Sequence, residues 1–317
     1  MRVESLKVKK ASTSVLVYAF RYLTLLCFSY ALLYPFVFMG INSVKNPTDW
    51  FDPTVSMIPK SISFDNIIVA FKYLEYPRTM WFTFLNCIIP ALLSFFTCAV
   101  AGYGLARFKF KGRGILNTIM IICIMIPDPL IIIPSYANFM HLDFLGILGW
   151  INDMTGVDLR LQLINTPFVF IIPALLATGL KNGLFIYIYS QFFKGLPKEL
   201  EEAAWIDGAG PYKTFMRIVL PSSGASNITV LVFAVVWYWN DYYQAQIYLA
   251  EKFPISVALS NFNTNLAKLG DLSQQYFFTN ATLMVACCLI AIAPILIFFL
   301  VMQRKFVQSI ATCGIVG

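Results

Sequence analysis

Charge is scarce in this chain, and histidine scarcer. Only 12% of its 317 residues are charged, against about 25% in an average soluble domain. His141 is the single histidine, which argues against a histidine-based catalytic site or a zinc centre. The seven cysteines (Cys27, Cys87, Cys98, Cys123, Cys287, Cys288 and Cys313) include no C-x-x-C pair. Six of them sit inside apolar runs, so they read as small membrane-core residues rather than metal ligands or disulfide partners. No Ser/His/Asp set, phosphate-binding glycine loop, internal repeat or low-complexity tract occurs, and no charged series of the voltage-sensor kind.

What fills the chain instead is apolar sequence, 59% of it, with a mean hydropathy of +0.72. Six runs approach the ~20 residues needed to cross a bilayer: about 15–40, 81–106, 115–136, 167–193, 227–248 and 277–302. The first follows Arg2, Lys7, Lys9 and Lys10 and is too long for a signal-peptide core, so it reads as an uncleaved span. Pro294 is expected to break the sixth. The net charge of +7 comes from basic residues at the ends of these runs, not from basic patches interleaved with base-stacking aromatics. It is a topology signal rather than a nucleic-acid footprint. Placing the N-terminus inside puts 14 Lys and Arg in segments 1–14, 107–114, 194–222 and 303–317, against 7 in the longer segments 41–80, 137–166 and 249–276. Both termini are therefore expected in the cytoplasm, and the outer loops carry aromatic and Asn residues suited to a partner surface.

The polar stretch Pro197–Pro221 then falls on the cytoplasmic side. Pro197 suits a first helical turn, Lys198 to Ile206 holds no breaker, and Glu199, Glu201 and Glu202 favour the N-terminal end through the helix dipole. Gly208 after Asp207 is a stop; Gly210-Pro211 starts a second short helix that Leu220-Pro221 closes. Ala203 and Ala204 allow close approach to a groove, with Glu202 reaching for a cation at its rim. A lipid-surface helix would carry a basic polar face. This one is acidic, which favours a protein partner.

Glu202-Ala203-Ala204, Gly208, Ile218 and Leu220-Pro221, in this spacing, resemble the EAA loop of ATP-binding-cassette importer permeases. Leu196-Pro197-Lys198-Glu199-Leu200-Glu201-Glu202 and Trp239-Asn240-Asp241-Tyr242 are similar to the carbohydrate branch, specifically its six-span maltose-system subunit. The resemblance implies an all-α integral membrane protein of six transmembrane helices, with a cytoplasmic coupling helix between spans 4 and 5. It implies that Glu202, Ala203, Ala204 and Gly208, supported by Asp207, Phe215 and Leu220, couple the pore to an ATPase. The partners implied are a second permease subunit, two cytoplasmic ATPase subunits, an extracytoplasmic solute-binding protein and membrane lipid. This chain is then a pore subunit and not an enzyme; it binds no cofactor, and ATP-Mg sits in the ATPase partners. The location implied is a bacterial or archaeal cytoplasmic membrane, and the solute a sugar or oligosaccharide. A non-sugar solute such as a polyol phosphate, or ion-coupled secondary transport, are the alternatives.

Ionisable residues inside spans are costly and default to functional roles. Asp128, between Pro127 and Pro129, and Lys181, beside Asn182-Gly183, are candidates for the substrate pathway or for pairing with each other. The cluster Trp237, Trp239, Asn240 and Asp241 reads either as an interfacial aromatic belt or as a platform for a sugar ring.

Overall fold

In the computed structural model the described residues are 2–46, 49, 52, 54, 55, 57–143, 146–156, 160–262 and 280–313. The start of the sixth expected span, 277–279, and the last residues of the tail, 314–317, lie outside them. The chain divides into two compact units, residues 1–73 with 266–290 and residues 74–265 with 291–317.

In the first unit, α1 (Arg2–Ser43) carries charge in its first ten residues and at Arg21, and from Leu16 onward it is otherwise largely apolar around its circumference. None of its most apolar window is buried within this chain, as expected of a helix whose solvent is lipid or a second subunit. Pro35 sits inside it without ending it. Beyond it, Lys45 pairs with Ile62 in an isolated antiparallel bridge. The Ser63 hydroxyl accepts the Asp65 N–H at 3.1 Å and donates to the Asp65 carboxylate at 2.7 Å where α2 (Asp65–Tyr73) begins. In the same segment, Lys60 pairs with Asp52; with the Thr54 donors this holds the Asp52 carboxyl below its ordinary range.

The second unit starts with α3 (Tyr76–Thr83), which runs through a π turn at Phe84–Ile88 into α4 (Ile89–Arg107), making one apolar rod from Tyr76 to Arg107. A loop leads to α5 (Arg113–Met125), bent 104° from α6 (Asp128–Met140). Pro127 lies between them in an extended conformation, and Pro129 can begin α6 because the first helical turn has no use for its missing N–H. After α7 (Ile147–Thr155), the expected fourth span comes as two helices, α8 (Phe168–Leu175) and α9 (Asn182–Gly195). Ala177 and Lys181, at φ +56 and +58, turn the chain between them.

Then come α10 (Glu199–Ile206), α11 (Pro211–Thr214), a π turn at Phe215–Val219 and α12 (Leu220–Ser222). The stretch Pro211–Ser222 bends 81° into α13 (Gly224–Asn240). Short helices α14 (Tyr243–Tyr248) and α15 (Ile255–Ser260) follow, and α16 (Asn280–Cys313) ends the described chain. Pro294 does not break α16, contrary to the sequence expectation. A proline forfeits one backbone hydrogen bond, and in an apolar setting without competing water the neighbouring turns hold the helix.

Three described helices, Leu16–Ser43, Tyr76–Arg107 and Ala281–Phe306, are long and apolar enough to cross a membrane, or up to five if each bent pair is one span. The chain is all-helical among the described residues, with isolated bridges in place of strands.

The core of the second unit is the packing of α4 on α9, with α13 beside them. Ala91, Ser94, Cys98, Ala99 and Gly102 are buried along α4 and let the backbones approach, as small residues do between membrane helices. Tyr189 and Phe193 stack at 5.5 Å on the facing side of α9, and Phe95 meets Tyr189 edge-on at 6.2 Å. Ser94 and Tyr238 join α4 to α13 through their hydroxyls at 3.3 Å.

Candidate functional site: a cavity and a tethered short helix

Two features stand out in the second unit. One is a cavity of about 1110 Å³, walled by parts of α4, α5, α6, α8, α9, α13 and α14. Its wall is mostly apolar, and Asp128 and Lys181 are its only charged residues among those described. Their carboxylate and ammonium meet at 2.7 Å, each side chain about one-third exposed (33% and 30%). The pair joins two backbone breaks: Asp128 opens α6 just past the α5–α6 bend, and Lys181 caps α9 in a left-handed conformation. A cation and an anion neutralise each other there, so neither is left alone in an apolar wall.

The aromatic cluster separates. Trp237 lines the cavity, packed against Phe185 and Phe233 at 5.7 and 5.4 Å. Tyr238 lines it too; its hydroxyl accepts the Leu180 N–H at 3.2 Å and pins the α8–α9 break to α13. Trp239 is buried away from the cavity. Asn240 is exposed and donates to the Val236 carbonyl at 2.9 Å. The Asp241 carboxylate accepts the N–H groups of Gln244 and Ala245, capping α14, and its carbonyl accepts the Ser256 hydroxyl at 2.7 Å. Trp239, Asn240 and Asp241 are not part of the cavity wall.

The second feature is α10. Ala204 is buried on its inner side; Glu202, Ala203 and Asp207 are exposed. Gly208 follows at φ +77, a conformation a side chain resists. The Ala209 N–H reaches back to the Ala204 carbonyl at 2.9 Å, ending the helix in the way glycine permits. Phe215 is buried, its ring 5.0 Å from Tyr103. Leu220 is half-buried, and its carbonyl accepts the Asn227 amide at 2.7 Å.

Sequence reasoning passed over several residues here. Glu201, next to Glu202, is turned inward and is 4% exposed. Its carboxylate lies 2.6 Å from Arg107 Nε and accepts the Tyr103 hydroxyl at 3.2 Å. The Arg107 contact is a charge pair, too steep in angle to be an aligned hydrogen bond. Leu200, Trp205 and Ile206 of α10 and Tyr212 of α11 are exposed, Ile206 at 86%. The signal was present in part: four large apolar residues in a polar loop.

The family model described as "Binding-protein-dependent transport system inner membrane component" matches residues 98–312. Over 284 residues the chain is 28% identical to the probable starch degradation products transport system permease protein AmyC of Thermoanaerobacterium thermosulfurigenes, covering 87% of this chain and 89% of that protein. It is 26% identical over 286 residues to the melibiose/raffinose/stachyose import permease protein MelC of Bacillus subtilis, covering 89% and 91%. Its fold is similar to a chain in the crystal structure of a bacterial ABC transporter involved in the import of the acidic polysaccharide alginate. The TM-score is 0.67 at 18% identity, over 92% of this chain and 96% of that one. An apolar helical chain with paired charges at a cavity, an exposed short helix between apolar segments and a family match across two-thirds of its length belongs to the inner-membrane components of binding-protein-dependent transport systems.

Proposed function

We propose that this chain is a transmembrane permease subunit of an ATP-driven importer, forming half of a translocation pore for a sugar or oligosaccharide and coupling it to cytoplasmic ATPase subunits. The carrying observation is the family match over residues 98–312, which takes in both the cavity and α10. The carbohydrate assignment rests on the relatives, several of which are named for starch products, arabinooligosaccharides or raffinose-type sugars.

The reading has six spans with both termini cytoplasmic in a bacterial or archaeal inner membrane. Its partners are a second permease, two ATPases that hold ATP-Mg, and an extracytoplasmic solute-binding protein. The bent pair α5–α6 and the split α8–α9 then serve as broken spans, while Pro211–Ser222 belongs to the cytoplasmic loop and bends into the span α13. Irregular backbone inside a membrane is tolerated where it is covered by protein or lines a cavity. α10 is the coupling helix: Glu202, Ala203 and Gly208, with Leu200 and Ile206 beside them, meet the ATPase, while Ala204, Phe215 and Leu220 hold the loop from behind. Asp128, Lys181 and Trp237 border the solute path. Trp239, Asn240 and Asp241 support its outer end.

Glu202→Lys and Gly208→Pro test the coupling assignment. Each leaves membrane insertion intact, because neither touches an apolar span, and each loses ATPase association in pull-down of the purified complex. Full association and transport in both variants would sink the assignment.

A further inference from the structure

α10 spans only Glu199–Ile206. A helix this short holds neither its conformation nor its direction unaided, so its attachments decide how it is aimed. Its charged attachment is the buried carboxylate of Glu201. Arg107, at the end of α4, pairs with that carboxylate, and both side chains are under one-tenth exposed (8% and 6%). Arg107 Nη2 also donates to the Leu196 carbonyl at 2.8 Å, on the turn between α9 and α10. Tyr103, one turn back on α4, reaches the other carboxylate oxygen at 3.2 Å. Its ring packs on Phe193 of α9 at 5.8 Å and on Phe215 of the following π turn at 5.0 Å. One node therefore joins the ends of α4 and α9 to α10 and to the segment after it.

An ion pair is a costly way merely to fill this space; apolar side chains of similar volume hold buried contacts at least as well. What the ions add is direction. If α10 rolled or slid against α4, it would leave a buried charge unpaired, whereas an apolar contact would let it slip. A push on the exposed side of α10 is thereby passed on to α4 and α9. Those helices carry Ala101, Gly104 and Leu105, and Asn182 to Leu184, into the cavity wall.

We infer that Arg107 and Glu201, braced by Tyr103, are positioning residues that transmit movement of α10 to the cavity-bearing helices. The inference rests on the proposed docking of α10 to an ATPase.

The test uses the complete importer in lipid nanodiscs. A fluorophore on Cys123, which lines the cavity and is exposed, reports there, with the other accessible cysteines replaced by serine. ATP with vanadate traps the ATPase cycle, so no solute need be known. In the unsubstituted chain the trapped state changes the probe signal. Glu201→Gln keeps ATPase association and hydrolysis but cuts that change at least about threefold, within the range over which contacts on a coupling route act. The apolar pair Arg107→Met with Glu201→Met separates transmission from support, since it fills the same space without direction. Association with a weak probe response supports the inference. A full response in that double variant, or in Glu201→Gln, overturns it. Loss of association in both would also overturn it, because the pair would then only shape the docking face. If the unsubstituted chain binds no ATPase, the proposed function itself fails, and that result is read separately from the probe.

Discussion

Two glycines two residues apart on α4 face different surroundings. A Cβ added to Gly102 would stand 2.6 Å from the Tyr189 Cβ and 3.1 Å from backbone atoms of Ile186 and Ser190, whereas one on Gly104 meets nothing within 4 Å. Gly102→Ala is therefore expected to push α4 off α9 and cost about 1–3 kcal/mol, read as a lower thermal midpoint of the purified protein. Gly104→Ala removes backbone freedom without a clash and should be neutral or stabilising by up to about 1 kcal/mol. The run Ala101-Gly102-Tyr103-Gly104 is recognisable in the sequence as a small-residue patch ending a span. Which glycine is the contact depends on how α4 is rotated towards α9, and no local pattern encodes that. The same holds for Glu201 and Glu202: adjacent acids on a helix point about 100° apart, so only one can turn inward, and the position of Arg107 chose it.

At the scale of elements, helix ends decide more than helix interiors. Asp241 is the clearest case: inside a run read as membrane it stands out as a candidate solute contact, yet it spends both carboxylate oxygens on the first N–H groups of α14. Asp241→Ala is expected to loosen α14 at a cost of about 1 kcal/mol, typical of a lost N-terminal cap, while Asp241→Asn keeps one of the two acceptors and so only part of it. Limited proteolysis at residues 241–250 and the thermal midpoint check both. Gly208 closes α10 at φ +77, so Gly208→Ala should cost about 1 kcal/mol in strain and weaken ATPase association without abolishing it, a milder effect than Gly208→Pro. The break at Pro127-Asp128-Pro129 was legible because two prolines announce it. The break between α8 and α9 was not, since Ala177 and Lys181 take left-handed conformations that ordinary side chains seldom adopt. Gly179, within that break, leaves room for the Tyr238 hydroxyl of α13, which a Cβ there would meet at 2.5 Å.

At the scale of the molecule, the two charges described in the cavity wall, Asp128 and Lys181, are paired with each other. Lys181→Met or Asp128→Asn alone leaves one ion in an apolar wall; the two together leave none. A double-mutant cycle on thermal stability should return a coupling of about 1 kcal/mol between them, as for partly exposed pairs in contact. Additive single effects would mean the ions do not hold the two breaks together. Topology is testable at the same scale. A reporter that fluoresces only in the cytoplasm should light up when fused after residue 317 or inserted at 109–112, and stay dark when inserted at 57–60. Reversed signals would refute the orientation and move α10 to the wrong side for an ATPase.

Composition and spacing by themselves determined the class of this protein. Apolar length specifies membrane residence because the bilayer core offers the backbone no water. The interval between Glu202, Gly208 and Leu220-Pro221 marks the loop because its helix, turn and second helix are all local structures. Tertiary structure alone decided the facing of residues: Glu201 inward on Arg107, Trp237 at the cavity with Trp239 buried behind it, Asp128 against Lys181. Each depends on the rotation of a helix about its own axis. In apolar helices with no strongly polar side, that rotation is set by what packs against them, and the packing partners lie far away along the chain.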